Sequence, residues 1–159
     1  MTDLINLAWL AVATALVFFM QAGFALVEGG LVRAKNSVNV IMKVYLGTAF
    51  VGVMFWAVGY GLAFGSSAAG WIGTTGFFAQ DLGSRESLDL LYQLMFAATA
   101  VTIVSGAVAE RMRYGAYLAF GCLMGLGIYP VYAHWAWNPN GWLHQMGFVD
   151  LAGGGAIHA

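Results

Sequence analysis

Charged residues divide this sequence into long uncharged runs, each about as long as a helix that crosses a bilayer. The runs cover residues 4–27, 44 to about 64, 90–109 and 114 to about 137, and a fifth begins near residue 150. An α-helix needs about 20 apolar residues to cross about 30 Å of hydrocarbon, and lipid offers no partner to unpaired backbone groups. We therefore predict an all-α membrane protein, with helices at about 4–28, 40–64, 90–110, 114–137 and from 150 onward in a single membrane domain.

The ends of the first two predicted helices depend on a few polar residues. The start Met1-Thr2-Asp3 has an acidic residue and no basic one, whereas a secretory signal begins with basic residues. The first run is therefore predicted to remain as a helix of the mature protein. The second helix is expected to begin as early as Val38, since the long side chain of Lys43 can extend to the interface.

Basic residues lie on one side of the predicted spans. Five of the six follow the first or the third span, namely Arg33, Lys35, Lys43, Arg111 and Arg113. The loop between the second and third spans carries the sixth, Arg85, among three acidic residues. The positive-inside rule then places the N-terminus outside and directs the fifth helix inward.

Composition supports lipid as the main solvent and excludes several classes of function. Of the residues, 61% are hydrophobic and 8% are charged, against about 25% charged in a soluble domain. The net charge of −1 gives no reason to expect a nucleic-acid partner. A single cysteine, Cys122, offers neither a disulfide framework nor a cysteine metal cluster. No metal and no cofactor are expected.

Three histidines are candidates for chemistry, and they differ in position. If a helix begins at Asp150, His158 lies about 12 Å along it, near the middle of the bilayer. An ionisable group at that depth usually lines a pathway, and the alternative is a histidine hydrogen-bonded between helices. His134 is expected to be an ordinary interfacial histidine, and His144 a solvated loop residue.

Asp150 and the outer aromatic residues each allow a structural and a functional interpretation. Asp150 is placed to cap the fifth helix, and it would also create a negative potential at an outer mouth. Trp135 and Trp137 lie where an interfacial belt is expected. With Phe96 they could instead hold a small cation on their faces, although the belt explains their positions more simply.

Two carboxylates and several glycines are assigned structural roles. Glu110, beside Arg111, and Glu28 are expected to form structural ion pairs at helix ends. The pairs Gly61/Gly65 and Gly121/Gly125 have the spacing of close helix packing.

Several motifs resemble the ammonium transporter family, and they occur in the order found in that family. They are GGLVRAKN at 29–36, Phe96-Ala97 followed by GAVAERMR at 106–113, Tyr129-Pro130 followed by AHWAW at 133–137, and DLAGG at 150–154 running into Ile157-His158. The resemblance covers nearly the whole chain, which is identified as a member of this family, of the bacterial Amt type.

The resemblance implies a fold, an assembly and a set of site residues. Family members have eleven helices, the first ten forming two inverted five-helix repeats, and assemble as homotrimers with one pore per subunit. Inverted repeats of this kind are a general transporter plan, and this chain would be the first repeat. Phe96 matches the outer gate, Trp137 the ammonium recruitment site, Asp150 the acid beneath it and His158 the first pore histidine, while Tyr92 and Tyr129 match flanking positions.

The same resemblance implies ammonium transport across the cell (inner) membrane, without enzymatic chemistry. The second pore histidine of the family lies in the second repeat, so we expect the chain to be part of a longer protein. A PII-type regulatory protein is a further expected partner. The alternatives are an ammonium-sensing membrane domain fused to a signalling kinase or cyclase module, and a general cation channel.

Overall fold

The first helix, α1 (Thr2–Leu31), is a continuous apolar helix of 30 residues. The computed structural model describes residues 2–159, so Met1, part of the N-terminal start considered above, lies outside the described residues. Only a few side chains of α1 are buried, among them Gln21, Ala25 and Glu28. Most of its apolar surface is exposed, as expected of a helix that faces lipid or further helices.

The second helix, α2 (Ala34–Phe64), contains a π-helical turn at Phe55–Gly59. It follows α1 after two residues, and the Asn36 amide donates to the Arg33 carbonyl at 2.7 Å. The helix therefore begins earlier than the predicted start near 40. The prediction that Lys43 extends to the interface is wrong. Its side chain is 3% exposed and its Nζ donates to the Met112 carbonyl at 2.8 Å, because the loop after the third helix folds over it.

The connection after α2 contains a small hairpin, and we call this end of the bundle the outer end, after the orientation predicted from the sequence. Strands β1 (Ser67–Ala68) and β2 (Ile72–Gly73) pair antiparallel, with Ser67 opposite Gly73. A short 3-10 segment follows at Phe77–Ala79. The 3-10 segment packs against α2, and strand β2 packs against both α2 and the last part of the fourth helix.

The third and fourth helices complete a set of four that are long and apolar enough to cross a membrane. Helix α3 spans Ser84–Ala107, and α4 spans residues 114–137 as Tyr114–Leu123, a π-helical turn at Met124–Ile128, and Tyr129–Trp137. Helix α3 begins six residues before the predicted 90, since its charged first turns extend beyond the apolar run. A short helix, α5 (Trp142–Gln145), lies in the next outer loop.

Helices α2 and α4 approach most closely at their π-helical turns. A Cβ atom on Gly59 would lie 2.6 Å from the Gly125 carbonyl oxygen, so only glycine fits at this position. Phe55 and Tyr129 flank the contact, with ring centroids 5.7 Å apart. This close approach sets the position of Tyr129 and of the outer half of α4.

A buried polar cluster joins α1, α2 and α3. Gln21 is 2% exposed; its Nε2 donates to Thr99 at 3.0 Å, and its Oε1 accepts from Thr48 at 3.1 Å and Thr102 at 3.0 Å. Each threonine hydroxyl also has a backbone carbonyl partner four residues earlier. The polar groups are thus satisfied inside the bundle, as lipid requires.

The predicted start of a fifth helix at Asp150 is wrong. Residues 151–158 form bends and turns, and the first α-type hydrogen bond runs from the Ile157 amide to the Gly153 carbonyl at 2.8 Å. Gly153 has a φ of +73°, a left-handed conformation that glycine adopts readily and that a helix does not contain. The predicted depth of about 12 Å for His158 assumed a regular helix from Asp150, so it does not hold for this segment.

Candidate functional site

Four of the predicted site residues line one outer cavity. This vestibule has a volume of about 550 Å³, and its lining includes Tyr92, Phe96, Trp137 and Asp150. Tyr92 and Phe96 lie one turn apart on α3 with their rings edge to face, at a centroid distance of 4.8 Å and an angle of 85°. Trp137 comes from the end of α4, so the cavity lies where α3, α4 and the segment after residue 149 meet.

The indole of Trp137 is fixed by a hydrogen bond and a ring contact. Its Nε1–H donates to the Asp150 backbone carbonyl at 2.7 Å. Its ring packs edge to face against Tyr129, with centroids 6.4 Å apart. Tyr129 is 1% exposed and supports the vestibule from behind. The orientation of Trp137 is therefore set before any ligand arrives, which lowers the entropy cost of binding.

The Asp150 carboxylate organises the segment that leads to His158. Its Oδ2 accepts from the amides of Gly155 at 3.1 Å and Ala156 at 2.9 Å. The cap predicted from the sequence would accept from amides two or three residues on, so that geometry is wrong, because the glycines let the chain turn back over the carboxylate. Asp150 also lines the vestibule.

A second cavity lies inward of the first and contains His158. It has a volume of about 340 Å³ and is lined by His158, Tyr129 and Tyr132, together with apolar residues of α3 and α4 such as Ile103 and Met124. A Cβ on Gly155 would overlap the Tyr132 hydroxyl, so the absence of a side chain lets this segment lie close against α4. His158 itself is exposed within residues 2–159.

Ile157 separates the two cavities. It lines both of them and is 6% exposed. Sequence reasoning missed Ile157, since an isoleucine between a glycine run and a histidine has no distinguishing pattern. It also missed Gln93, which lines the vestibule; a polar residue inside an apolar span was a signal that could have identified it.

His134 is not the interfacial histidine predicted from the sequence. It is fully buried, with Nδ1 2.9 Å from the Ala63 carbonyl oxygen and Nε2 2.8 Å from the Ser67 hydroxyl. Because a carbonyl only accepts, Nδ1 carries the proton and Nε2 accepts from Ser67. The hairpin folds over this residue, so its role is structural. His144 is exposed, as predicted.

The carboxylates near the other end of the bundle have structural partners. Glu110 pairs with Arg33, with Nε to Oε1 at 3.1 Å, and not with its neighbour Arg111. Hydrogen bonds from Asn36 and then from Arg33 lower the pKa of the Glu110 carboxyl to about 2. The ion pair predicted for Glu28 is not found among the described residues, since Glu28 is buried and accepts from the Ser105 hydroxyl at 2.8 Å. Glu110 thus joins the α1–α2 connection to the loop between α3 and α4, and Glu28 joins α1 to α3.

Comparisons with known proteins agree with this architecture. Residues 8–159 match the model of the Ammonium Transporter Family. The chain is 41% identical to ammonium transporter Amt2 of Archaeoglobus fulgidus over 98% of its own length and 36% of the relative. A solved sensor Amt protein superposes with a TM-score of 0.94 at 36% identity, covering 99% of this chain and 42% of that one.

Saccharomyces cerevisiae Mep2 superposes with a TM-score of 0.88 at 32% identity, covering 98% of this chain and 37% of that one. The chain spans about a third of the length of the curated relatives it matches. Its four spans and their order are those of the N-terminal part of these proteins. The chain is a multi-pass membrane segment and belongs to the ammonium transporter family.

Proposed function

We propose that the complete protein transports ammonium across the membrane. The observation that supports this most directly is the arrangement of the two cavities. An aromatic vestibule and a histidine-lined cavity share a single buried side chain, Ile157, as a common wall. A cation can be recruited in the first cavity, and a neutral molecule can be received by the second.

Selection against potassium is the physical problem that such a site must solve. Ammonium resembles a lysine head group, with a pKa about three units above neutral, so its deprotonation at pH 7 costs about 4–5 kcal/mol. Moving the intact ion into a dry lumen costs several kcal/mol even after relaxation. Deprotonation is therefore a competitive route, and potassium has no proton to lose.

The proposed mechanism has three steps. The cation binds between Phe96 and Trp137, with Tyr92 and Tyr129 flanking the site, and loses part of its hydration. The negative potential of Asp150 holds the cation at the inner wall, where the proton leaves toward His158. Neutral ammonia then passes Ile157 into the histidine cavity, where an imidazole can hydrogen-bond it. The released proton is relayed separately along the histidines of the complete pore, so net transport carries charge. Each aromatic face contributes about 0.5–2 kcal/mol to binding the cation.

The test measures ammonium, methylammonium and potassium currents of the complete protein in proteoliposomes. The variant His158→Ala is expected to lose selectivity for ammonium over potassium or to lose the current altogether. His144→Ala is the matched control, since this histidine is exposed in the outer loop and should leave both properties unchanged. Full ammonium selectivity in His158→Ala would contradict the proposed role.

The assembly and setting of the complete protein follow as further parts of this proposal. They are a homotrimer of eleven-helix subunits in the cell (inner) membrane, with the N-terminus outside and a PII-type protein as a regulator. Blue-native electrophoresis tests the trimer. Labelling of the variant Asp3→Cys from outside the cell tests the orientation. Residues 32–33 join α1 and α2 into a helix hairpin. The basic residues at this connection support the proposed orientation, because basic loops favour the inner side of the membrane.

Ammonium sensing is the second candidate function. The similarity to a sensor Amt protein, with a TM-score of 0.94, favours it. In a sensor, ammonium binding would shift the conformation of the membrane domain and control a signalling kinase or cyclase module. Sequencing the complete gene tests this: a fused signalling module supports sensing, and a short cytoplasmic tail supports transport.

A further inference from the structure

A third cavity lies on the outer side of the bundle, behind the vestibule. It has a volume of about 370 Å³, and its lining includes Trp9 from α1, Tyr60 from α2, and Arg85, Glu86 and Asp89 from α3. Asp89 is half-buried, and its Oδ2 accepts from the Tyr60 hydroxyl at 3.3 Å. The mechanism above does not use this carboxylate.

Gln93 lies between Asp89 and the vestibule. It follows Asp89 by one helical turn on α3, and it lines the vestibule. Its Oε1 accepts from the Tyr129 hydroxyl at 3.4 Å, and the Tyr129 ring packs against Trp137. The Asp89 charge therefore lies one helical turn from the residues that support the Trp137 indole.

The Asp89 carboxylate acts on the vestibule through space. Asp89 and the vestibule residues Gln93 and Phe96 follow one another on α3. A negative charge at this position makes a cation in the vestibule more stable.

The other two charges in this cavity act differently. Arg85 and Glu86 are exposed, so solvent and salt screen them strongly. They also have opposite signs, and their fields partly cancel at the vestibule. The field of Asp89 passes through protein, where screening is weaker.

We propose that the negative charge of Asp89 sets the affinity of the vestibule for ammonium, from its position one helical turn before Gln93 on α3. This inference rests on the proposed function, since it names a determinant of that same site. Asp89 and Phe96 lie seven residues apart on one helix, or about 10 Å. A unit charge at that distance, with an effective dielectric constant of about 20–40, changes a binding constant about fourfold to fifteenfold.

The experiment compares Asp89→Asn with wild type in the complete protein, from the concentration dependence of ammonium and methylammonium currents. The expected result is a KM raised about fourfold to fifteenfold, with the maximal current unchanged. Glu86→Gln is the matched control, because it removes an exposed carboxylate from the same cavity and should leave KM unchanged. Tyr60→Phe removes the hydrogen bond to Asp89 but keeps the charge, and it should not raise KM.

Three results would overturn the inference. One is an unchanged KM in Asp89→Asn, and another is an equal rise in Glu86→Gln, which would indicate a general surface-charge effect. The third is a lower maximal current and a lower unfolding temperature at unchanged KM, which would indicate a structural role.

If the wild-type protein carries no ammonium current, the proposed transport has failed. Calorimetric binding of methylammonium to wild type and Asp89→Asn then tests the inference by the same fold-change in Kd.

Discussion

Trp137 combines two roles that substitutions can separate. Its ring faces the vestibule, and its Nε1–H donates to the Asp150 carbonyl at 2.7 Å. Trp137→Phe removes the donor and keeps an aromatic face, whereas Trp137→Leu removes both. If the ring recruits the cation, the two variants must differ in apparent ammonium affinity.

The magnitude of each role follows from the contact involved. A cation over an aromatic face gains about 0.5–2 kcal/mol, a factor of about 2–30 in a binding constant. One neutral hydrogen bond contributes about 0.5–1.5 kcal/mol to stability. Trp137→Leu should therefore raise the KM for ammonium about 2–30-fold relative to Trp137→Phe. Both variants should share a small loss of stability, because each leaves the Asp150 carbonyl without its indole donor.

The assay is the KM of methylammonium uptake by the complete protein, paired with thermal unfolding of the same preparations. Trp135→Leu is the control, since that indole donates to the Trp71 carbonyl in the outer loop at 2.8 Å and lies outside the vestibule lining. Equal KM values for Trp137→Phe and Trp137→Leu would refute the recruitment reasoning. Trp137 would then act only by holding the segment at Asp150.

Two further predictions concern the framework around the site. Gln21→Leu removes three side-chain hydrogen bonds. At about 0.6 kcal/mol for each bond in a membrane bundle, the variant should lower the unfolding free energy by about 1–2 kcal/mol in a detergent titration. An unfolding free energy equal to that of the exposed-site control Gln145→Leu would contradict this prediction. Glu110 has a folded-state pKa lowered to about 2 by Asn36 and Arg33, so its contribution to stability is complete above its ordinary value of 4.5 and is lost as the pH falls from there toward 2. The difference in unfolding temperature between wild type and Glu110→Gln should therefore shrink below about pH 4.5, and a constant difference from pH 6 down to about pH 2 would show that the contact is not the cause.

The spans were predictable because they depend on a strong one-dimensional signal. A run of about 20 apolar residues bounded by charges requires no tertiary information, and the part of the chain that the structure describes contains four such helices. The grouping of Tyr92, Phe96, Trp137 and Asp150 was also expected, and these four do line one cavity. That expectation came from the family resemblance, because composition and spacing alone favoured an interfacial belt for the tryptophan.

Three of the errors involve a polar group whose partner comes from a distant part of the chain. Lys43 finds the Met112 carbonyl, His134 finds Ala63 and Ser67, and Glu110 finds Arg33. Local reasoning assigns such groups to water or to a sequence neighbour, because it cannot see which loop folds over them. In lipid the tertiary partner prevails, since a buried group without a partner costs about 1–3 kcal/mol or more.

The position of His158 depends on the folded segment before it more than on helix geometry. Three features fix the path of the chain from residue 150 to residue 157. They are the two amide hydrogen bonds to Asp150, the left-handed conformation of Gly153 and the close approach of Gly155 to Tyr132. A regular helix starting at Asp150 would carry the imidazole along a different path. Since hydrogen bonds to a small neutral molecule weaken steeply with distance, the turn at Asp150 controls whether the imidazole meets ammonia just beyond Ile157. Asp150 can therefore affect transport through geometry as strongly as through charge, and Asp150→Asn, which keeps an acceptor for both amides, isolates the contribution of charge.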